Sequence, residues 1–91
     1  MDRCLILGGG LSGRAAARLA ADIGMEPKIV SDAAGIDPVA ECAFGSLIVT
    51  SPGVKPLTSP LYRAALARAG RGECELISEL EFGFRHLPGR K

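Results

Sequence analysis

The sequence contains few residues of the types that build metal centres and disulfide frameworks. Only one histidine and three cysteines occur among its 91 residues. Cys4, Cys42 and Cys74 are odd in number and widely separated, so they fit neither a disulfide framework nor a zinc-ligand spacing. We therefore expect reduced and mostly buried thiols, and no metal or catalytic role for His86.

Long apolar runs and clusters of like charge are also absent. No apolar stretch approaches the ~20 residues that cross a bilayer, and the N-terminus begins with a strand pattern rather than a signal peptide. The eleven basic residues are scattered, and the formal net charge is only +1. These absences argue against nucleic-acid and membrane partners, and they predict a cytoplasmic protein.

The remaining composition indicates one small globular domain. Hydrophobic residues make up 47% of the chain, which excludes disorder as its main state. A length of 91 residues is near the low end for a self-sufficient core. We expect residues 1–87 to form the domain and residues 88–91 to form a linker-like tail.

The first motif is a glycine-rich turn that follows an apolar strand near the N-terminus. Gly8, Gly10 and Gly13 match the pattern G-x-G-x-x-G. The first glycine permits a tight turn, the second lets backbone approach a ligand, and the third lets a helix pack on the strand. A helix that begins there directs N–H groups at an anion. The motif therefore predicts a nucleotide or sugar-nucleotide ligand.

The second motif is an acidic residue after the next strand. Asp32 follows a predicted strand over 28–30 and lies nineteen residues after Gly13. In dinucleotide enzymes an acid at about this spacing binds the ribose hydroxyls. The alternative is that Asp32 only begins a turn or caps a helix.

The third motif follows a buried-type strand over 47–50. It consists of Ser51, Pro52 and Gly53, which by composition alone form a tight turn. Further along, Ser59 before Pro60 is typical of a helix N-cap. Ser78 with Glu81 forms a capping-box pattern, so we interpret Glu79 and Glu81 as structural rather than catalytic.

The order of strand and helix patterns predicts the fold. Strands are expected over 3–7, 28–30, 47–50 and 75–77. Helices are expected over 12–23, 60–69 and 79–86, with a short one from Pro38. Repeated strand–helix units require a parallel sheet with right-handed crossovers. The sequence therefore predicts an α/β, Rossmann-like three-layer domain with a small parallel sheet of four or five strands and helices on both faces.

Glycines and apolar stripes give the expected ends and inner sides of the helices. Gly24, Gly45 and Gly70 are expected to end the first three helices. The sheet-facing residues of the first helix are expected to be Ala16, Leu19, Ala20 and Ile23. The apolar stripe of the third helix consists of Leu61, Ala65 and Ala69, and Leu80, Phe84 and Leu87 lie along one side of the last helix.

Taken in order, these motifs resemble the N-terminal domain of the Mur ligases. The resemblance extends from Cys4 to about Arg85 and rests on the glycine turn, Ser31-Asp32, Ser51-Pro52-Gly53 and the segment 76–85. The Ser-Pro-Gly motif is most similar to the D-glutamate-adding members. The resemblance implies a domain that holds the uridine diphosphate end of UDP-N-acetylmuramoyl-L-alanine. The pathway implied is peptidoglycan synthesis, and with it cell wall biogenesis, cell shape and cell division.

The resemblance also implies a set of binding residues. The turn at Gly10, with backbone N–H groups of Leu11, Ser12 and Gly13, is expected to receive the diphosphate. The Ser12 hydroxyl is either a further donor or a simple helix N-cap.

Uracil recognition is implied for the other two strand ends. The Asp32 carboxylate is expected to accept a hydrogen bond from uracil N3–H, with the Ala33 N–H beside it. Ser51, Pro52 and Gly53 are expected to close the site, and Gly53 lets the base approach the backbone. The segment 33–46 is shorter than in the family, so we expect the family's extra strand and part of the pocket wall to be missing.

The whole family enzyme implies partners that these residues do not supply. It uses ATP and Mg²⁺ on a central domain and receives the amino acid on a C-terminal domain. No G-x-x-x-x-G-K-[ST] pattern occurs here. We expect this chain to carry no catalytic residue, cofactor or metal, and to bind a UDP-sugar weakly. Two alternatives stay open: an NAD(P)-binding oxidoreductase fragment, and a non-catalytic interaction domain that has lost its ligand.

Overall fold

The computed structural model describes residues 2–8, 10–32, 35–55 and 57–86. Its strands are β1 (Arg3–Leu7), β2 (Glu26–Val30), β3 (Leu47–Thr50) and β4 (Glu75–Ser78). Its helices are α1 (Gly10–Asp22), α2 (Pro38–Cys42), α3 (Pro60–Gly70) and α4 (Glu79–Arg85). The predicted tail, Leu87 and Ala33 lie outside the described residues.

The strands form one parallel sheet in the order β2-β1-β3-β4. β2 begins earlier than predicted and includes Pro27, which an edge strand tolerates because its outer side needs no N–H. β3 pairs directly with β1, so the direction in which the sheet grows reverses after β2. The described residues give four strands rather than five, in keeping with the short 33–46 segment. The α/β, Rossmann-like prediction is confirmed.

Helices cover both faces of the sheet, as the three-layer prediction requires. One face is covered by α1 and α4, and its buried residues are Cys4, Ile6, Ala16, Ala20, Val49, Ile77 and Phe82. The other is covered by α2 and α3, and its buried residues are Leu5, Leu7, Cys42, Ile48, Leu61 and Ala65. Because Ile48 and Val49 are both fully buried, β3 shows no polar–apolar alternation, as expected for a strand covered on two sides.

Gly24 ends α1 as predicted. Its φ is +88°, a conformation that glycine adopts without strain. The Met25 N–H donates to the Ala20 carbonyl at 2.8 Å and the Gly24 N–H to the Ala21 carbonyl at 3.1 Å. These two bonds form a Schellman motif, which satisfies the last carbonyls of the helix.

Two other predicted helix ends were wrong. Gly70 is the last residue of α3, and the glycine with positive φ beyond it is Gly72, at +76°. α2 ends at Cys42, before Gly45. Gly45 has a packing role instead, because a Cβ there would lie 2.5 Å from the carbonyl oxygen of Arg3.

The inner side of α4 is not the side along which Leu80 and Phe84 lie. Phe82 is fully buried, whereas Leu80 is 82% exposed and Phe84 is 54% exposed. The reason is that α4 begins directly after β4 with Ser78 as its N-cap. That junction fixes the rotation of the helix and directs Phe82 at the sheet. In α1, Ala16 and Ala20 are buried as predicted, but Ile23 lies past the helix end and is exposed.

Candidate functional site

The carboxyl ends of β1, β2 and β3 surround one open cavity of about 400 Å³, which we call the strand-end crevice. Its lining residues are Leu7, Gly8, Ser31, Asp32, Ser51, Gly53, Val54, Lys55, Thr58, Ser59 and Leu61. Open parallel sheets bind ligands at this edge, where the strand order reverses. The fold therefore brings together three segments that are far apart in the sequence.

The glycine turn after β1 is held in close contact with its surroundings. Gly8 has a φ of +95°, and a Cβ there would lie 2.3 Å from the Ser51 Oγ. A Cβ on Gly13 would lie 2.3 Å from the Gly8 carbonyl oxygen. The first glycine thus permits the turn, and the third permits α1 to pack against it, as the motif predicts.

The first turn of α1 contains the backbone groups that were expected to receive the diphosphate. Gly10, Leu11 and Ser12 are its first three residues, so their N–H groups have no partner within the helix. Because α1 begins at Gly10, Ser12 is not its N-cap, and that alternative was wrong. Gly13 is the fourth residue, where the N–H normally bonds within the helix. In the described part of the chain, neither Gly10 nor Gly13 lines the crevice.

Ser51, Pro52 and Gly53 form the predicted turn. The Val54 N–H donates to the Ser51 carbonyl at 3.1 Å, which closes a four-residue turn. Ser51 and Gly53 line the crevice, whereas Pro52 lines a neighbouring depression with Tyr62. Gly53 has no positive φ, and a Cβ there would meet nothing within 4 Å. Neither backbone conformation nor packing therefore requires glycine at this position.

Asp32 lines the crevice with a carboxylate that is bonded to the start of α3. Its Oδ1 accepts from the Leu61 N–H at 3.0 Å, and its Oδ2 accepts from the Ser59 hydroxyl at 2.5 Å. Asp32 therefore does cap a helix, as the alternative interpretation proposed. The helix is α3, however, and not the one that follows Asp32 in the sequence.

Three polar side chains of the crevice come from residues after the Ser-Pro-Gly turn, which the sequence analysis did not assign to the site. Lys55 contributes a cationic side chain, and Thr58 and Ser59 contribute hydroxyl groups. The N-cap signal of Ser59 was visible in the sequence. Its position beside Asp32 was not, because the two residues are 27 positions apart and meet only when α3 packs on the sheet.

Glu81 of α4 is bonded within the fold. The Glu81 N–H donates to the Ser78 Oγ at 3.1 Å, and the Glu81 carboxylate accepts from Arg85 at 2.6 Å. Arg85 also bonds Glu75, at 2.7 Å. The bond between the Ser78 Oγ and the Glu81 N–H is one half of the predicted capping box, whereas the Glu81 carboxylate bonds Arg85. The ring of His86 packs edge-on against Phe82, with centroids 5.3 Å apart.

The cysteines are free thiols in or near the two cores. Cys4 and Cys42 are buried and Cys74 is half-buried. Burial raises the pKa of the Cys4 thiol to about 11. Burial also raises the pKa of Cys42 and Cys74. Thiols of this kind stay protonated near neutral pH and are poor nucleophiles, as expected of core residues.

Comparisons of the chain with protein-family models, with curated proteins and with solved structures found no match. The described helices include none that is both long enough and apolar enough to cross a membrane. Among the described residues, no three His, Cys, Asp or Glu side chains are grouped so as to hold a metal ion. The strand-end crevice and the motifs that line it are therefore the features that indicate function.

Proposed function

We propose that this chain is the UDP-binding N-terminal domain of a cytoplasmic Mur ligase that adds D-glutamate to UDP-N-acetylmuramoyl-L-alanine. Its own task is to hold the uridine diphosphate end of that substrate. Formation of the amide bond belongs to the ATP- and Mg²⁺-binding central domain and the C-terminal domain of such an enzyme. This chain by itself is expected to be inactive.

The main support for the proposal is that three motifs lie at one cavity. Gly8, Asp32 and Ser51 come from three separate strand ends, and all line the strand-end crevice. These are three of the four motifs on which the resemblance to the Mur ligases rests, in the same order. A crevice of about 400 Å³ lies within the range of small-molecule sites.

The crevice has the mixed polarity that a nucleotide needs. The Asp32 carboxylate is an acceptor-only group suited to the uracil N3–H. Lys55 lines the same crevice and supplies positive charge for phosphate oxygens. The free N–H groups in the first turn of α1 add further donors for an anion.

Gly53 supports ligand approach at the third strand end. The fold does not need glycine there, since a Cβ would meet nothing within 4 Å. The missing side chain keeps the crevice open. This accords with the proposed approach of the base to the backbone.

The glycine turn and Asp32 would serve an NAD(P)-binding fragment equally well, and a degenerate domain would bind neither ligand. The test is a calorimetric titration of the full chain with UDP-N-acetylmuramoyl-L-alanine, UDP and NADH. Binding of both uridine ligands without NADH supports the proposal. Binding of NADH alone, or of no ligand, contradicts it. Because the sheet of the described residues has four strands and lacks the extra strand expected in the family's pocket wall, we expect weak binding.

Two glycine-to-alanine variants test whether the ligand binds in the strand-end crevice. Gly53→Ala places a methyl group in the crevice, and we expect it to weaken UDP binding about tenfold, or about 1.4 kcal/mol. Gly70→Ala is the matched control, because a Cβ there also meets nothing within 4 Å and Gly70 lies at the far end of α3. Equal UDP affinity in the two variants would place the ligand elsewhere.

A further inference from the structure

Ser59 has a hydroxyl whose single proton is committed to Asp32. The Ser59 side chain is the N-cap of α3, and its Oγ accepts from the Tyr62 N–H at 3.0 Å. The residue is only 4% exposed. A hydroxyl has one proton. Because the Ser59 oxygen accepts from the Tyr62 N–H, that proton can be donated to Asp32. The 2.5 Å separation of Ser59 Oγ and Asp32 Oδ2 is that of a charge-assisted bond.

The Asp32 carboxylate is fixed by both of its oxygens. The Leu61 N–H holds Oδ1 while the Ser59 hydroxyl holds Oδ2. Two donors from one rigid helix end define the plane of the carboxylate as well as its position. Pro60 has no N–H, so Asp32 and Ser59 between them accept from the second and third residues of α3.

These bonds leave part of the Asp32 carboxylate available. An ionised carboxylate has about four lone-pair sites, and the two bonds to α3 use only two. Asp32 remains exposed and lines the strand-end crevice. The unused lone pairs therefore have access to a ligand while the bonds to α3 stay in place.

We propose that Ser59 is a positioning residue that orients Asp32 for base recognition, and so sets the preference of the crevice for uracil over cytosine. This inference rests on the proposed function. Uracil presents an N3–H donor to a carboxylate, whereas cytosine presents an N3 lone pair that the carboxylate repels. Discrimination of this kind depends on the direction of the acceptor, which Ser59 fixes.

The experiment measures the affinities of UDP and CDP for the full chain and for four variants. Asp32→Asn removes the carboxylate and gives the UDP:CDP affinity ratio that remains when no carboxylate recognises the base. Ser59→Ala and Ser59→Gly remove the hydroxyl, and glycine is itself tolerated at an N-cap, so at least one of them is expected to fold. Ser59→Thr restores the hydroxyl. We expect the UDP:CDP affinity ratio to fall roughly tenfold without the hydroxyl and to recover with threonine.

Ser78→Ala is the control for a purely structural effect. Ser78 caps α4 as Ser59 caps α3, with its Oγ accepting from the Glu81 N–H at 3.1 Å, but it does not contact Asp32. This variant should lower stability to a similar degree, as measured by urea unfolding, and leave the UDP:CDP ratio unchanged.

The outcomes separate the two proposals. A wild-type preference for UDP that survives in a folded Ser59→Gly variant overturns the role of Ser59 and leaves the proposed function standing. Tighter binding of both nucleotides by that variant also overturns it, because the Ser59 bond would then compete with the ligand. Failure of the wild-type chain to bind either nucleotide overturns both proposals.

Discussion

Replacement of Phe82 by alanine is expected to destabilise the domain severely, whereas replacement of Leu80 is expected to have almost no effect. Phe82 is fully buried between α1 and the sheet, and Leu80 is 82% exposed. A buried Phe→Ala change costs about 3–5 kcal/mol through lost burial and a residual cavity. An exposed change usually lies within about 0.5 kcal/mol.

The expected loss is large compared with the stability available. At about 0.05–0.15 kcal/mol per residue, a chain of 91 residues has a free energy of unfolding of about 5–14 kcal/mol. Phe82→Ala would therefore remove between about a fifth and all of it. Phe82→Leu, which keeps much of the volume, gives a milder variant if the alanine form does not fold.

Urea unfolding followed by far-ultraviolet circular dichroism measures the difference. For a slope of about 2 kcal/mol per molar urea, Phe82→Ala should lower the midpoint by about 2 M, while Leu80→Ala leaves it unchanged. Equal midpoints, or a larger loss with Leu80→Ala, would refute the orientation of α4. That result would mean that the stripe read from the sequence is the inner side after all.

Two further predictions concern the first strand and the turn after it. The folded-state pKa of Cys4 lies above its unfolded value, so the protonated thiol stabilises the fold below about pH 9, and this contribution is lost as pH rises toward 11. Between these pH values the free energy of unfolding of the wild-type chain should fall by about 2–3 kcal/mol more than that of Cys4→Ala. Urea unfolding at several pH values measures this difference, and parallel curves for the two chains would contradict the prediction. Gly8→Ala combines a φ of +95° with a Cβ 2.3 Å from Ser51 Oγ, whereas Gly24→Ala at +88° meets nothing within 4 Å. We expect the second to cost about 1 kcal/mol and the first clearly more; equal losses in thermal unfolding would show that the turn relaxes freely.

The sequence was a good guide to elements whose signals are local. Strand β1 has the predicted bounds, and Ser59 and Ser78 cap the helices that they were expected to cap. Gly24 ends α1 through a motif that involves only its own neighbours. Such features depend on a few consecutive residues, so they are readable before the chain is folded.

The predictions were wrong where contacts between distant parts of the chain determine the structure. Leu80 and Phe84 form a regular stripe, but it is Phe82 that packs into the core formed by α1 and the sheet. Gly45 was read as a helix end, yet its role is to let the backbone pass Arg3. In both cases the deciding contact is with another strand or with the sheet.

The candidate site divides in the same way. The alternation of strands and helices predicted the parallel sheet. Because ligands bind at the carboxyl ends of parallel strands, the sequence also predicted that Gly8, Asp32 and Ser51 lie at one site. Only the tertiary structure brought Ser59 and Leu61 to Asp32, across 27 and 29 positions. The physical reason is that strand ends follow from backbone pairing, which a local pattern encodes. The partners of a side chain depend instead on how a helix is set against the sheet, and that is fixed by packing over the whole core.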